Sequence, residues 1–219
     1  MDDIRVILNS NPIVPVVILD RVEDTAPLCE ALLQGGIQAI EITLRTEAAI
    51  AAIGEAARRF PDMTVGAGTL LNADQVKQVM DLGAKFGVSP GSTPALLDAV
   101  STNEFPFLPG GSTMSEFMAL AEASFVVQKF FPAGPAGGPA FLRSVASPLA
   151  DISFCPTGGI NADNAADYLS LPNVIAVGGS WFVSADRIRN GGWAQITNDT
   201  KDIVKRFSNA KNCRGCHDG

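Results

Sequence analysis

Histidine is almost missing from this chain, because its 219 residues include a single one, His217, close to the C-terminus. Histidine is the side chain whose ordinary pKa best suits acid–base catalysis near neutral pH. An enzyme built on this chain therefore has to move protons with a carboxylate, a lysine or water.

Positive charge, long apolar runs and cysteine are also scarce. The chain has 16 Lys and Arg against 23 Asp and Glu, which gives a net charge of −7 and a pI near 4.7. We therefore expect no basic surface for nucleic acid. No apolar run reaches the roughly 18 residues of a membrane-spanning helix, and the first residues, Met-Asp-Asp-Ile-Arg, do not resemble a signal peptide. Four cysteines form no framework typical of secreted proteins. We expect a cytoplasmic protein that binds a small molecule rather than nucleic acid or a membrane.

One short motif near the C-terminus could indicate a cofactor. Cys213, Cys216 and His217 match the Cys-x-x-Cys-His string of c-type haem attachment. No export signal accompanies the string, and three nearby ligands are too few for a structural zinc site. We expect no cofactor and no metal, and we place residues 209–219 in a tail outside the folded core.

Apolar, strand-like runs alternate with helical patterns along residues 1–208. The strand-like runs are residues 13–19, 39–44, 64–69, 84–89, 105–109, 125–131, 152–157 and 174–178. The helical patterns are residues 25–34, 46–60, 72–82, 93–101, 113–123, 138–149, 161–170 and 193–208. Eight βα units predict a single-domain (β/α)8 TIM barrel. The alternative is a doubly wound open sheet, but the near-equal units give no sign of the reversal point that such a sheet needs.

The sixth strand-like run, residues 125–131, carries one lysine, Lys129, among apolar residues. Side chains alternate along a strand, so Lys129 shares a face with Phe125, Val127 and Phe131. An ammonium in such surroundings is costly unless it is paired or used. A lysine kept neutral by desolvation can attack a carbonyl carbon and form a Schiff base. The alternative is a strand-end lysine whose ammonium reaches solvent.

The second strand-like run ends in three polar residues, Glu41, Thr43 and Arg45, which share a parity and can all face the interior. In a barrel of this kind the active site lies at the carboxyl ends of the strands. We therefore expect Glu41 in the site, as an acid or base or as the ion-pair partner of Arg45 or Lys129.

Glycine-rich turns follow the seventh and eighth strand-like runs, at Gly158-Gly159 and Gly178-Gly179. A single glycine-rich strand end is weak evidence, since such turns are common. Two of them after the last two strands are stronger, because backbone N–H groups at this place in such barrels commonly bind a phosphate.

Six short strings stand in order along the chain, beginning at residues 41, 65, 89, 129, 154 and 178. They read E-I-T-L-R-T, V-G-A-G-T-L, S-P-G, K-F-F-P-A, F-C-P-T-G-G-I and G-G-S-W. Together, from about Pro15 to Phe182, they resemble the 2-keto-3-deoxy-6-phosphogluconate (KDPG) aldolase family, some of whose members also cleave 4-hydroxy-2-oxoglutarate. The resemblance implies a class I, Schiff-base, metal-independent carbon–carbon lyase on a (β/α)8 barrel, usually a homotrimer. Such an enzyme cleaves KDPG to pyruvate and glyceraldehyde 3-phosphate, as in the Entner–Doudoroff pathway.

By position, the resemblance implies that Lys129 forms the Schiff base and that Glu41 is the general acid and base. Its other implied roles are substrate contacts, to the pyruvyl carboxylate, to the pocket wall and to the hydroxylated, phosphorylated end. The pyruvyl carboxylate is assigned to Arg45 and Thr69, and the pocket wall to Pro90 and Phe131. The hydroxylated, phosphorylated end is assigned to Thr157, Gly158, Gly159, Gly179 and Ser180. The loop after Lys129, Pro-Ala-Gly-Pro-Ala-Gly-Gly-Pro, departs from the family because it lacks the acidic residue often found there.

Other functions remain open at this point. The substrate could be 4-hydroxy-2-oxoglutarate, or 2-keto-3-deoxy-6-phosphogalactonate, which differs from KDPG only in the stereochemistry at one carbon. A phosphate-binding barrel could instead be an isomerase or decarboxylase that forms no Schiff base. An electron-transfer protein using the Cys-x-x-Cys-His string is the alternative without catalysis.

Overall fold

The computed structural model describes residues 4–207, in which short strands alternate with helices. The strands are β1 (Ile13–Val17), β2 (Ala39–Thr43), β3 (Thr64–Gly68), β4 (Phe86–Val88), β5 (Phe107–Leu108), β6 (Gly110–Gly111), β7 (Val127–Phe130), β8 (Ser153–Pro156) and β9 (Val177–Gly179). The helices are α1 (Ile4–Ser10), α2 (Thr25–Gly35), α3 (Ala49–Arg59), α4 (Ala73–Asp81), α5 (Pro94–Thr102), α6 (Met114–Glu122), α7 (Gly138–Val145), α8 (Ala165–Leu169), α9 (Ala185–Arg189) and α10 (Trp193–Phe207). None of these helices is long and apolar enough to cross a lipid bilayer. The predicted tail, with Cys213, Cys216 and His217, lies outside the described residues.

The strands form two parallel sheets that curl towards one another. One sheet has the order β5-β4-β3-β2-β1-β9, and the other has the order β6-β7-β8. Only Pro109 separates β5 from β6, and a parallel bridge joins Thr157, just after β8, to Gly178 in β9. The predicted α/β class with parallel strands is confirmed.

Each predicted strand-like run contains a strand, but the strands are shorter than the runs. The last run, residues 174–178, forms only an isolated bridge at Val174 before β9 begins at Val177. The predicted helix 161–170 is reduced to α8, because the Asn161 side chain accepts hydrogen bonds from the backbone of Asp163 and Asn164 and forms a turn there. The short helices α1 and α9 were not predicted, since seven and five residues show too little periodicity.

Two apolar clusters separate the inner from the outer faces of the strands. On β2, Ile40 and Ile42 belong to the cluster under the helices, whereas Ala39 belongs to the inner one. The inner cluster consists of Ile4, Ile7, Leu8, Val14, Ala39, Phe86, Val88, Leu108, Val127, Cys155, Ile175 and Ala176. Helix α1 thus closes the inner space at the amino ends of the strands, where Arg5 also donates a hydrogen bond of 3.0 Å to Ser153. Burial of each large apolar side chain contributes about 1.5–3 kcal/mol.

Helix caps fix the connections at the carboxyl edge. Helix α6 begins with a capping box, in which Thr113 accepts from the Glu116 backbone and Glu116 accepts from the backbone of Thr113. The N–H of Ser112 also donates to Glu116, and these hydrogen bonds hold the pKa of the Glu116 carboxyl below its ordinary value. At the start of α5 the Thr93 side chain accepts a hydrogen bond from the Leu96 N–H, just before Pro94 begins the helix. The loops that follow β4 and β6 are therefore short and held in place.

Candidate active site

A buried ion pair lies in the inner space, between Lys129 of β7 and Glu41 of β2. The Lys129 Nζ atom lies 3.3 Å from the Glu41 Oε1 atom, although the two strands belong to different sheets. Lys129 is 5% exposed and Glu41 is 3% exposed. A buried ion pair is weak evidence for stability, because desolvation offsets the attraction. Such a pair beneath the carboxyl edge of parallel strands indicates a functional site.

The alternation along β7 places Lys129 on the inner face. Val127 lies in the inner cluster and Phe130 in the outer one. The Gln128 side chain faces outward, where its amide donates to two backbone carbonyls near α6. The prediction for Phe125 is wrong, since its ring packs against the outer cluster. The strand begins only at Val127, so the alternation does not extend back to Phe125.

Phe131 lies beside the amine, as the sequence predicts. The Lys129 Nζ atom is 5.3 Å from the centroid of the Phe131 ring, within the range of a cation–π contact. The ring follows the strand directly, and the next peptide bond, Phe131–Pro132, is cis. The ammonium of Lys129 therefore has a carboxylate and an aromatic ring as neighbours.

Cys155 of β8 is a member of the site that the sequence analysis missed. It is the register partner of Lys129, and it is buried in the inner cluster. Burial raises the pKa of the Cys155 thiol to about 12, against the opposing effect of the Lys129 charge. The thiol is therefore neutral near pH 7 and is a poor nucleophile. Cys155 is two residues before Thr157 in the same strand-like run, so both side chains face the same side of the strand. This alternation could have identified Cys155 as a site residue.

Two residues predicted to bind the substrate carboxylate follow β2, the strand that contains Glu41, and the adjacent strand β3. Arg45 is exposed and follows β2 by two residues, and among residues 4–207 its guanidinium is assigned no ion pair. Thr69 follows β3 with a φ of 61°. This left-handed conformation is unusual for a β-branched residue, and such strain is concentrated at functional sites. Both residues are at the edge where the Glu41–Lys129 pair lies.

Pro90 follows β4 at the same edge and is partly exposed. The preceding Ser89 is buried, and its Oγ accepts a hydrogen bond of 3.3 Å from the Gly110 N–H. A Cβ atom at Gly110 would lie 2.4 Å from the Pro90 carbonyl oxygen. This close approach holds the Pro90 loop against β6, next to the strand that carries Lys129.

The predicted phosphate-binding turns lie next to each other. Gly158 and Gly159 have φ values of 93° and 77°, which glycine adopts without strain. The bridge between Thr157 and Gly178 brings this turn to the end of β9, where Gly179 is buried and Ser180 is exposed. The structure therefore groups all five residues predicted for the phosphorylated end.

Two further contacts fix the first of these turns. The Asn164 side-chain amide donates a hydrogen bond of 2.9 Å to the Gly159 carbonyl, and the N–H groups of Ala133 and Gly134 donate to the carbonyls of Thr157 and Gly158. The sequence analysis did not identify Asn164. The loop that departs from the family pattern is thus held to the turn by its backbone, with no acidic side chain in these contacts.

Comparison with known proteins shows close relatives along almost the whole chain. The family described as "Aldolase: KDPG and KHG aldolase" matches residues 4–198. A protein named 2-dehydro-3-deoxy-phosphogluconate aldolase from Dickeya dadantii (strain 3937) is 43% identical over 198 residues, which cover 90% of this chain and 93% of that protein.

Two solved structures are also similar. The KDPG aldolase from Legionella pneumophila, with pyruvate captured at low pH as a covalent carbinolamine intermediate, has a TM-score of 0.90 and 40% identity, covering 92% of this chain and 98% of that one. The 2-keto-3-deoxy-6-phosphogluconate aldolase of Zymomonas mobilis ZM4 with 3-phosphoglycerate has a TM-score of 0.87 and 38% identity, covering 91% of this chain and 93% of that one.

Proposed function

The chain belongs to the KDPG and KHG aldolase family, and we propose that it is a class I aldolase that cleaves KDPG to pyruvate and glyceraldehyde 3-phosphate. The observation that carries this proposal is the buried pair of Lys129 and Glu41, 3.3 Å apart. A lysine in a closed apolar space suits Schiff-base formation, and a carboxylate within reach suits proton transfer. The similar Legionella protein, captured as a covalent carbinolamine with pyruvate, supports the same chemistry here.

The first steps form an iminium ion on Lys129. Its neutral amine attacks the C2 carbonyl carbon of the substrate to give a carbinolamine, which loses water. The positive nitrogen then draws electrons from the C3–C4 bond. When the C4 hydroxyl gives up its proton, that bond breaks, glyceraldehyde 3-phosphate leaves as the aldehyde and an enamine remains.

Glu41 is the proton carrier in this proposal. Its carboxylate takes the C4 hydroxyl proton, directly or through a water molecule, and later delivers a proton to C3 of the enamine. Water then hydrolyses the resulting iminium ion, which releases pyruvate and regenerates the Lys129 amine. Both proton transfers use one carboxylate that is held 3.3 Å from the reacting nitrogen.

The groups around the pair are proposed to hold the two anionic ends of the substrate. Arg45 presents a planar fork that matches a carboxylate, and Thr69 lies at the adjacent strand end. Pro90 and Phe131 form the pocket wall near C3, and the Phe131 ring lies 5.3 Å from the amine.

The phosphorylated end is assigned to the two neighbouring turns, through Thr157, Gly158, Gly159, Gly179 and Ser180. These turns favour KDPG over 4-hydroxy-2-oxoglutarate, which has no phosphate for them to bind. Pyruvate release from KDPG, 4-hydroxy-2-oxoglutarate and 2-keto-3-deoxy-6-phosphogalactonate, measured in a coupled assay, ranks the three substrates.

We further propose that the two sheets close into a (β/α)8 barrel in which β5, Pro109 and β6 act as one strand. The bridge between Thr157 and Gly178 supports this reading, as does the ion pair that joins the two sheets. The homotrimer is carried over from the resemblance, and the cytoplasmic location from the composition of the sequence. Analytical ultracentrifugation tests the trimer, which requires about three times the chain mass of 22.9 kDa.

Borohydride trapping tests the central assignment. Reduction in the presence of pyruvate should attach one reduced pyruvyl group to a peptide that contains Lys129, identified by mass spectrometry after digestion with a protease that does not cut at lysine. Lys129→Met should abolish the adduct. Lys85→Met is the matched control, because Lys85 is exposed and precedes β4 at the amino ends of the strands. An adduct on any lysine other than Lys129 contradicts the assignment.

A further inference from the structure

Two glycines of β3, Gly66 and Gly68, leave space for large side chains of the neighbouring strands. A Cβ atom at Gly66 would lie 2.2 Å from Cζ of the Phe86 ring. A Cβ atom at Gly68 would lie 2.2 Å from Oε1 of Glu41, and 2.7 Å and 2.8 Å from its Cγ and Cδ. All four distances are far below van der Waals contact, so the Phe86 ring requires a glycine at position 66 and the Glu41 side chain requires one at position 68.

The backbone around Gly68 is held from both sides. Gly68 pairs with Thr43 in the register of β2 and β3, and its carbonyl accepts a hydrogen bond of 2.9 Å from the Leu44 N–H. Two residues further on, the Leu70 N–H donates to the Val88 carbonyl. A methyl group added at Gly68 cannot be accommodated by a backbone shift without breaking this ladder. The Glu41 carboxylate would have to move instead.

The carboxylate oxygen nearest to Gly68 is also the oxygen that contacts Lys129. Glu41 Oε1 lies 3.3 Å from Lys129 Nζ, and the whole residue is 3% exposed. A carboxylate displaced from Gly68 must change its contact with Lys129, because the same oxygen makes both approaches. The position of the proton-carrying oxygen beside Lys129 therefore requires that residue 68 has no side chain.

We propose that Gly68 is a positioning residue, whose missing side chain sets the Glu41 carboxylate beside the Lys129 nitrogen. The proposal rests on the proposed function, in which Glu41 takes the C4 hydroxyl proton and delivers a proton to C3; exchange of the pyruvate methyl protons is the reverse of that second step. Gly68 has no side chain with which to take part in the reaction itself. Because Gly68 has no Cβ atom, the Glu41 carboxylate can occupy the space that a Cβ atom would fill.

The test compares Gly68→Ala with Gly66→Ala. Both substitutions add one methyl group to the inner face of the same strand, but Gly66 contacts the Phe86 ring rather than the acid–base residue. Two quantities are measured with pyruvate: the fraction of enzyme trapped by borohydride, and the rate at which the pyruvate methyl protons exchange in deuterated buffer, followed by NMR. Their ratio, exchange per imine, reports proton transfer separately from imine formation.

We expect Gly68→Ala to lower exchange per imine at least tenfold, since a misplacement of about 1 Å at a reacting group can cost about a hundredfold. Gly66→Ala should lower the melting temperature and leave exchange per imine within a fewfold of the wild type. A folded Gly68→Ala variant with wild-type exchange per imine overturns the inference. A wild-type enzyme that traps no pyruvate contradicts the proposed function itself, so the two failures are distinguishable.

A second variant keeps the inference testable if Gly68→Ala folds poorly. Glu41→Asp shortens the side chain by one methylene and withdraws the carboxylate from Gly68. If the collision is with Glu41, Gly68→Ala should lower the melting temperature less in the Glu41→Asp background than in the wild type, whatever Glu41→Asp costs on its own. An equal loss of melting temperature from Gly68→Ala in the wild-type and Glu41→Asp backgrounds overturns the inference, because the added methyl would then clash with something other than Glu41.

Discussion

Replacement of Glu41 by glutamine separates proton transfer from charge pairing. The substitution keeps the length and the hydrogen-bonding reach of the side chain, and it removes the negative charge and the titrating group. The wild-type pair is 3.3 Å apart, with both residues at least nine-tenths buried. At an effective dielectric constant of about 20, two unit charges at this distance attract by about 5 kcal/mol. Loss of one partner from a buried pair typically costs about 3–5 kcal/mol of stability.

The effect on catalysis should be larger than this loss of stability can explain. Removal of a general acid or base typically slows the chemical step by about a hundredfold or more. We therefore expect Glu41→Gln, at a temperature where it remains folded, to be trapped by borohydride with pyruvate. Exchange of the pyruvate methyl protons per trapped imine should fall by about a hundredfold, and cleavage of KDPG should fall with it.

Glu55→Gln is the matched control, since it also removes one carboxylate that pairs with a cation. Glu55 lies on α3, and its partner Arg59 is 2.9 Å away on the outside of the molecule. An exposed pair of this kind contributes little, so stability and exchange should stay near wild type. Wild-type exchange per imine in Glu41→Gln, together with a lower melting temperature, would refute the reasoning. Glu41 would then be an ion-pair partner only, and water or the substrate phosphate would carry the proton.

The remaining predictions concern the substrate anions and the buried thiols. Arg45→Ala should raise KM about tenfold or more for phosphorylated and unphosphorylated substrates alike, because both carry the pyruvyl carboxylate; an effect on only one of them contradicts this. Gly159→Val and Asn164→Ala should raise KM mainly for KDPG. The first puts a side chain on a residue with a φ of 77°, and the second removes the hydrogen bond from Asn164 to the Gly159 carbonyl. An equal rise in KM for an unphosphorylated substrate would remove the phosphate assignment. Burial raises the pKa of Cys29 and Cys155 to about 12, so the unfolded chain loses these protons first as pH rises above about 9 and the free energy of unfolding should fall. Urea unfolding at several alkaline pH values should show a shallower decline for Cys29→Ala than for the wild type.

Much of the fold was predictable because the strands are short, apolar and separated by periodic helices. Alternation along β7 and β2 also predicted correctly that Lys129 and Glu41 face the same interior. The sequence analysis named Lys129 only as one of two possible ion-pair partners of Glu41, beside Arg45, and local pattern could not choose between them, since 88 residues separate Glu41 from Lys129. The contact depends on how far the two sheets curl, and no single segment encodes that curl.

The residues that the sequence analysis missed all act across strands or turns. Cys155 is next to Lys129 only because β7 and β8 pair in one register. The need for glycine at position 68 arises only from the pairing of β2 with β3, which places the Glu41 side chain against the Gly68 backbone. Asn164 lies in what was predicted to be a helix, and its bond to Gly159 appears only once that segment is seen to form a turn. A glycine that leaves space for another strand has no local signature.

The layering of the inner face explains why the reactive pair lies where it does. Below it, Phe86 and Val127 fill the interior with apolar atoms, and α1 closes the amino ends of the strands. Above it, the carboxyl edge carries Arg45 and the glycine turns, which suit the two anionic ends of a substrate. In our proposal a carbonyl carbon reaches the Lys129 amine from the carboxyl edge, where Arg45 and the glycine turns would hold the carboxylate and phosphate apart. The apolar layer excludes water below the nitrogen, and electrostatic interactions in such a closed site are stronger than in water. The same closure that makes the pair costly to bury thus makes it effective in proton transfer, which is why we assign it to catalysis rather than to stability.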